Sequence, residues 1–353
     1  MPAASLNLPA CGDEMHGRTP FERYRVLVEA ELRASLDSAR LPFYDMHRYH
    51  LGWVDESGLR VVSQSGKLLR STLCLAGCRA AGGDPKKAAA AAAAVELVHN
   101  FSLVHDDIQD ASEYRRHRTA VWKVWGTAQA INVGDSMHAL AHLVLMRLGL
   151  SGMPERKVVH AGEVLAKACM SLCEGQYLDI LYEGRTEVTL QDYLDMVSLK
   201  TGALLGAAAE LGALVGTDDE MVVSGLRVFG TELGIAFQIH DDILGIWGDS
   251  KRTGKPLYDD IRGHKKTLPV VYALRECGGE VREALSGLYR QEAVSVEDAA
   301  RVAQLLQRVS AREYAEKMVE RHRGEAIGQL KVAPVAEGRD ELTEIAQSVL
   351  GND

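Results

Sequence analysis

The sequence predicts an all-α protein, one large helical domain, and three observations carry that prediction. Long segments rich in Ala, Leu, Val and Glu repeat their apolar residues every three to four positions, the period of a helix with one buried face. Nine prolines and 6% aromatics are too few turn-forming and strand-forming residues for a β-rich chain. No Pro/Ser-rich linker divides the 353 residues, so one helical domain is expected over residues 21–353. The preceding residues 1–20 mix Pro2, Pro9, Gly12, Gly17 and Pro20 and read as disordered.

In chain order, Phe21, Tyr24, Leu27, Val28 and Leu32 mark the first amphipathic helix. Tyr44, His47, Tyr49, His50 and Trp53 read as aromatic packing near the edge of the domain. Lys67 and Arg70 stand three apart at the start of an apolar helix, whose N-terminus favours anions. Asp84-Pro85, an N-cap followed by Pro at the first helical position, opens a helix to Asp110. Its 26 residues would span about 39 Å. Trp122 and Trp125 read as packing, and residues 128–150 and 158–180 as two more helices. Lys200-Thr201 heads a buried Ala/Gly/Leu run over 202–216, where an ammonium needs an anionic partner. A helix over 227–246 is followed by the loop GDSKRTGKP, which carries Lys255, and by Lys265 and Lys266. That loop lacks the nucleotide signature GxxxxGK[ST], so phosphate capture by a closing lid is the expectation. From Val281 onward, amphipathic helices, one starting at Ser295 with Asp298, pack the bundle.

The chemistry gathers in HNFSLVHDDIQDASEYRR, residues 99–116. Asp106 and Asp110, four apart, share a helix face with Cβ atoms about 5–6 Å apart, while Asp107 is turned about 100° aside. Carboxylates at a helix C-terminus face the negative end of its dipole, a conflict that a cation relieves. Alone, such a cluster is equally a solvated helix end. A second cluster shifts the balance, because FQIHDDILGIWGD, residues 237–249, also closes an apolar helical run with His before two aspartates. Two helices presenting paired carboxylates can chelate Mg²⁺, which takes oxygen ligands and completes its shell with water and substrate phosphates. A substrate bearing a diphosphate follows. Gln176 and Asp179, three apart on one face, suit supporting or water-mediated contacts to such a metal.

In order along the chain stand Gly66-Lys67-Leu68-Leu69-Arg70, His99-Asn100, Asp106-Asp107-Ile108-Gln109-Asp110 with Arg115-Arg116, Gly175-Gln176-Tyr177-Leu178-Asp179, Lys200-Thr201, Phe237-Gln238-Ile239-His240-Asp241-Asp242, Gly254-Lys255 and Lys265-Lys266-Thr267-Leu268-Pro269. Over roughly residues 40–275 this series resembles the trans-isoprenyl diphosphate synthases, or polyprenyl synthetases. Two positions depart from that family's pattern: Leu68, where Arg is common, and Gly245, which replaces the last Asp of the second motif. The resemblance implies a single large helical bundle around a central cavity, isoprenoid synthase-like, that condenses isopentenyl diphosphate with an allylic diphosphate into a linear all-trans prenyl diphosphate. It implies Mg²⁺, three ions per active site, with Mn²⁺ able to substitute. Asp106, Asp110 and Asp241 would be ligands, supported by Asp107, Gln176, Asp179 and Asp242. Lys200, Lys255, Arg115 and Lys265 would meet the allylic diphosphate, and Thr201 and Gln238 would direct oxygen dipoles at the allylic cation. Isopentenyl diphosphate would be held by Lys67, Arg70, His99 and Arg116. In that family a bulky residue five before the first aspartate accompanies a twenty-carbon product. Phe101 is therefore the expected floor, with geranylgeranyl diphosphate the expected product and farnesyl diphosphate the second choice.

A net charge of −9 and a pI near 5.8 exclude nucleic acid or an anionic membrane as the main partner. The pairs Cys74/Cys78 and Cys169/Cys173 lack His or Cys companions at zinc-motif spacing and read as helix packing. With no signal peptide, a reduced cytoplasmic protein is expected. The run Thr201–Gly216 falls short of the about 20 residues that span a bilayer, so no integral membrane segment is expected. The resemblance also implies a homodimer. Two rival readings are a class I terpene cyclase, for which Gly245 and Asp249 would mark a variant second motif, and a non-catalytic subunit of a heteromeric synthase. The retained cationic set around Arg70 opposes the first, since a cyclase has no second diphosphate to bind; intact aspartates oppose the second.

Overall fold

The computed structural model describes residues 19–37, 40–61, 66–185, 187–248, 258–291 and 293–351. Residues 1–18, Asp249 and the Gly254-Lys255 pair lie outside them. The first helix, α1 (Pro20–Leu36), starts on a capping box: the Thr19 side chain accepts the Glu22 N–H, and the Glu22 carboxylate accepts the Thr19 N–H. Thr19 and Pro20, expected in the disordered segment, thus belong to the folded domain. Helix α2 (Phe43–His50) turns the aromatic segment inward rather than leaving it at an edge. His47 and Tyr49 are buried, and Tyr49 meets Trp125 edge-on at 4.9 Å.

Helix α3 (Leu69–Ala80) is buried along most of its length. Asp84 caps as expected, accepting the Lys86 N–H, but Pro85–Ala88 is a 3₁₀ turn, and α4 proper is Ala89–Gln109. The alanines of α4 are buried and keep its flank thin, so α3 and α6 (Thr127–Leu145) can lie close against it. Between α4 and α6 come a two-stranded hairpin, β1 (Tyr114–Arg115) with β2 (Arg118–Thr119), and α5 (Val121–Trp125). The expected 128–150 helix ends at Leu145 and tightens into a 3₁₀ turn, Met146–Ser151. Helix α7 (Glu155–Glu183) is longer than expected at both ends.

Helices α8 (Leu190–Val197) and α9 (Ala203–Gly216) are joined by a π-helical turn, Ser198–Gly202, into one unbroken rod of 27 residues. With α10 (Glu220–Trp247) it is long and apolar enough to cross a membrane, contrary to the shorter run expected. Both are core elements: 67% and 61% of their most apolar windows are buried against other helices. The main core lies among α3, α4, α9 and α10. The last segments, α11 (Asp259–Arg262), α12 (Leu268–Glu276), α13 (Gly279–Leu288), α14 (Val296–Arg308), α15 (Ala311–Gln329) and α16 (Ala336–Leu350), follow. Ile261, Val270, Leu285 and Leu306 form a second core at the end of α10, while α15 packs along α10 and α16 along α3. Ser295 caps α14 through the Asp298 N–H, as its spacing suggested.

The crossing of α3 and α9 is set by Gly212, where a Cβ would fall 1.9 Å from the Cys74 carbonyl oxygen. Both backbones would have to part to admit a methyl group. Gly212→Ala should therefore cost about 1–3 kcal/mol despite alanine's better helix propensity, measured by urea unfolding followed by circular dichroism.

Candidate active site

Two networks of charged and polar side chains meet at the π turn of Ser198–Gly202. On one side Lys200 donates to Asp179 of α7 at 2.7 Å. Lys265, from the loop after α11, donates to the same Asp179 oxygen at 2.9 Å, to Asp110 at 3.1 Å, and pairs with Glu183 at 2.6 Å. On the other side the Thr201 hydroxyl donates to Gln238 at 3.0 Å, and the Gln238 amide donates to Asp242 at 3.1 Å. The π turn fits against α7 because residue 175 is glycine; a Cβ there would lie 2.3 Å from the Lys200 backbone nitrogen. An extra residue in a helical turn redirects the side chains that follow, and here it delivers Lys200 and Thr201 to the two networks.

The expected first ligand set divides as its spacing required. Asp106 stays on α4, Asp110 is the C-cap residue, and Asp107 turns inward, where its side chain is 2% exposed and takes the Arg115 Nε at 2.8 Å. Arg115 is thus committed to Asp107. Burial pushes the Asp106 carboxyl up to about 6, with Asp110 and Asp107 adding to the rise and Lys200 and Arg115 opposing it. Asp242 is raised further, to about 7, by complete burial, although the Tyr193 hydroxyl (2.7 Å), the Leu268 N–H (2.9 Å) and Gln238 all donate to it. Asp241, its neighbour, is exposed. Asp179 moves the other way, because Lys200 and Lys265 outweigh its burial.

The donor set suits a hard divalent cation. Around the two ammoniums stand Asp110, Asp179 and Glu183, and Asp106 adds another carboxyl, so negative groups outnumber positive ones. The Oδ2 of Asp107 and the Oε1 of Gln176 are buried without a hydrogen-bond donor. Gln176 instead donates to Gln109 at 2.9 Å, which places it beside the acidic end of α4. Oxygen-only donors with spare lone pairs are what Mg²⁺ uses.

A separate cationic group lies two turns back along α4, around His99. Arg70 donates to the His99 Nε2 at 3.2 Å, so that nitrogen is an acceptor. Burial, reinforced by Arg70, Arg116 and Arg115, drives the His99 imidazole well below its usual range and keeps it neutral. Burial likewise lowers Arg70 to about 10. Arg116 packs on Gly66, whose added Cβ would lie 2.9 Å from the guanidinium carbon. It occupies the turn of the β1–β2 hairpin with His117, both at positive φ (52° and 61°), a conformation that hairpins usually give to Asn-Gly. That strain sets the direction of an arginine and marks a site under functional constraint. Lys67 is not on the helix face of Arg70, because Leu68 is left-handed (φ 55°) and α3 starts only at Leu69; Lys67 is exposed ahead of the helix. Phe101 is buried, 5.0 Å edge-on from His138. Lys255 lies outside the described residues.

Five residues at these sites escaped sequence reasoning. Glu96 is buried on α4, accepts from Ser71 at 3.0 Å, and faces both Arg70 and Arg116. A lone acid in the Ala-rich helix, one turn before His99-Asn100, was a visible signal. His50 is not mere aromatic packing: it lines a cavity with Arg115 and Arg116, and burial beside those arginines lowers it well below its usual range. Glu183 joins the Lys265 cluster, one turn after Asp179. Tyr193 had no signal, since it meets Asp242 only through tertiary packing. Asp260 answers the departure at Gly245: a Cβ at 245 would fall 2.5 Å from the Asp260 Oδ2, so a carboxylate from α11 fills the space a side chain at 245 would enter. Lys266, by contrast, is turned to the backbone carbonyls of Glu183 and His264.

The geometry agrees with three comparisons. The polyprenyl synthetase family model matches residues 52–306. The geranylgeranyl diphosphate synthase of Mycobacterium tuberculosis is 43% identical over 277 residues, covering 78% of each chain. The (2E,6E)-farnesyl diphosphate synthase of Mycobacterium bovis is 40% identical over 299 residues, covering 84% of this chain and 82% of its own. The crystal structure of a polyprenyl synthetase from Streptomyces coelicolor A3(2) superposes with a TM-score of 0.86 at 40% identity, over 94% of this chain and 98% of that one.

Asp106 supplies a pH test. Its folded-state value, about 6, lies above the ordinary 3.8, so its charged form destabilises the metal-free fold; that cost is absent below the ordinary value and complete above about 6. In chelator, Asp106→Asn should raise stability at pH 8 by about 1–2 kcal/mol and leave it nearly unchanged at pH 4. Urea unfolding of both proteins at the two pH values checks this, an equal difference at both being the contrary outcome.

Proposed function

Because the chain belongs to the polyprenyl synthetase family of trans-prenyltransferases, we propose that it condenses isopentenyl diphosphate with allylic diphosphates to geranylgeranyl diphosphate, farnesyl diphosphate being the second choice. The observation that carries the two-substrate reading is that two anion-binding groups stand along α4: acidic, metal-suited donors at Asp106 and Asp110, and, two turns back, the guanidiniums of Arg70 and Arg116 beside the neutral His99. A class I cyclase has no use for the second. Intact Asp106, Asp107, Asp110, Asp241 and Asp242 likewise oppose a non-catalytic subunit.

Asp106, Asp110 and Asp241 would hold Mg²⁺, with Mn²⁺ a substitute and three ions per site the family expectation. Asp107, Gln176, Asp179 and Asp242 would support the ligands, and Asp260 would complete the second motif from outside it. Bound metal supplies electrostatic neutralisation of the allylic diphosphate, which makes pyrophosphate a better leaving group. Lys200 and Lys265 would add positive charge beside it, as would Lys255, which lies outside the described residues, and Arg115 would act indirectly by neutralising Asp107. Such charge stabilisation, aimed at the departing anion, is the main catalytic contribution. The Thr201–Gln238 pair lies between Lys200 and Asp242 and would present oxygen dipoles to the allylic cation. Arg70, Arg116, His99 and the exposed Lys67 would hold isopentenyl diphosphate while its double bond attacks, and the released pyrophosphate takes the final proton.

We place the enzyme in the cytoplasm as a homodimer. Ile131 and Leu143 on α6 and Val159, Met170, Tyr177 and Ile180 on α7 are exposed apolar side chains on two adjacent helices, the kind of surface a second copy covers.

Purified protein with Mg²⁺, labelled isopentenyl diphosphate and, separately, dimethylallyl, geranyl and farnesyl diphosphates should yield linear diphosphates ending at twenty carbons. Pyrophosphate release without incorporation of isopentenyl units would overturn the assignment, and activity without a partner chain would discard the subunit reading. In the same assay Phe101→Ala should lengthen the product beyond twenty carbons; an unchanged length would remove Phe101 as the floor.

A further inference from the structure

We propose that His138, His142 and Cys169 form a binding site for a zinc-class transition-metal cation, distinct in ligand chemistry from the carboxylates assigned to Mg²⁺. His138 and His142 are one turn apart on α6, and Cys169 faces them from α7; one donor atom from each lies within 4.8 Å of the other two. The Nε2 atoms of the two rings approach to 3.4 Å. Two imidazole lone pairs cannot face each other at that distance without a proton or a cation between them. Tetrahedral zinc, with Zn–N near 2.0–2.1 Å, sets its nitrogens about 3.4 Å apart, and Zn–S near 2.3 Å sets sulfur about 3.6 Å from each. The nitrogens are already at the first spacing, and the sulfur needs at most a small side-chain rotation to reach the second.

The surroundings favour an occupied site. Cys169 is buried, and both histidines are half-buried, which limits competition from water. The His138 ring is fixed edge-on by Phe101 at 5.0 Å and by His142 at 5.0 Å, so little rotamer freedom remains to be lost on binding. Two borderline imidazoles and a soft thiolate select Zn²⁺, Co²⁺ or Cu⁺ over Mg²⁺, and water would take the fourth position. Coordination forms two metal–nitrogen bonds and one metal–sulfur bond, and the Cys169 thiol proton leaves to solvent.

The test uses full-length protein stripped of metal, held in excess Mg²⁺ to occupy the carboxylates, and titrated with Co²⁺. The expected result is one cobalt per chain, with intense tetrahedral visible bands, a thiolate-to-cobalt charge-transfer band and the release of protons, all reversed by Zn²⁺. Cys169→Ser and His142→Gln should abolish the charge-transfer band, whereas Cys173→Ser, one turn along α7 and exposed, should keep it. If Cys169→Ser fails to fold by circular dichroism, His142→Gln at its half-buried position decides. Weak octahedral absorption without charge transfer, or a band that survives removal of Cys169 or His142, overturns the site and leaves a hydrogen-bonded histidine pair.

Discussion

The structure depends on neutralising carboxylates that an apolar bundle would otherwise reject. Lys265 is the clearest instance: one ammonium contacts Asp110 at the end of α4 and Asp179 and Glu183 on α7, tying those helices to the segment that follows α11. Lys200 supports it from the π turn, and Arg115 does the corresponding work for Asp107. An unpaired buried carboxylate neutralises or costs several kcal/mol, so these pairs decide which acids stay charged. Asp179, paired twice, is lowered; Asp106 and Asp242, short of direct cation partners, are raised. Of these two, Asp106 stands at the α4 end where a divalent metal is proposed to bind.

Close helix packing makes this electrostatics possible. The buried alanines of α4 and glycines such as Gly212 and Gly175 bring backbones together, so short polar side chains on separate helices come within hydrogen-bond range. Local irregularities then aim the long ones. The π turn projects Lys200 and Thr201 into separate networks, and positive-φ residues orient the cationic site: Leu68 detaches Lys67 from α3, and Arg116 and His117 close the β1–β2 turn. Strain is concentrated where anionic ligands are expected rather than in the helical core.

The proposed chain-length residue on α4 adjoins the proposed metal site between α6 and α7. Phe101, the expected floor, touches His138, and His138 belongs to the His/His/Cys cluster between α6 and α7. The same helices carry the exposed apolar side chains suited to a second copy. The proposed floor, the proposed subunit contact and the proposed soft-metal site thus lie beside one another.

The sequence by itself determined the helical class, the capped starts at Asp84 and Ser295, and the pairing of acidic helix ends, because caps and i,i+4 spacing are local. Its ordered motifs also determined the family. Only tertiary structure decided which partner each charged residue took. Nothing local says that Tyr193 holds Asp242, that Glu96 sits between two arginines, or that Asp260 stands against Gly245. Cys169 shows the limit most plainly: its sequence neighbours offered no zinc motif, yet its metal-ligating neighbours, His138 and His142, arrive on another helix. Spacing along a chain fixes what shares a helix face, whereas what that face meets is fixed by how tightly the helices cross.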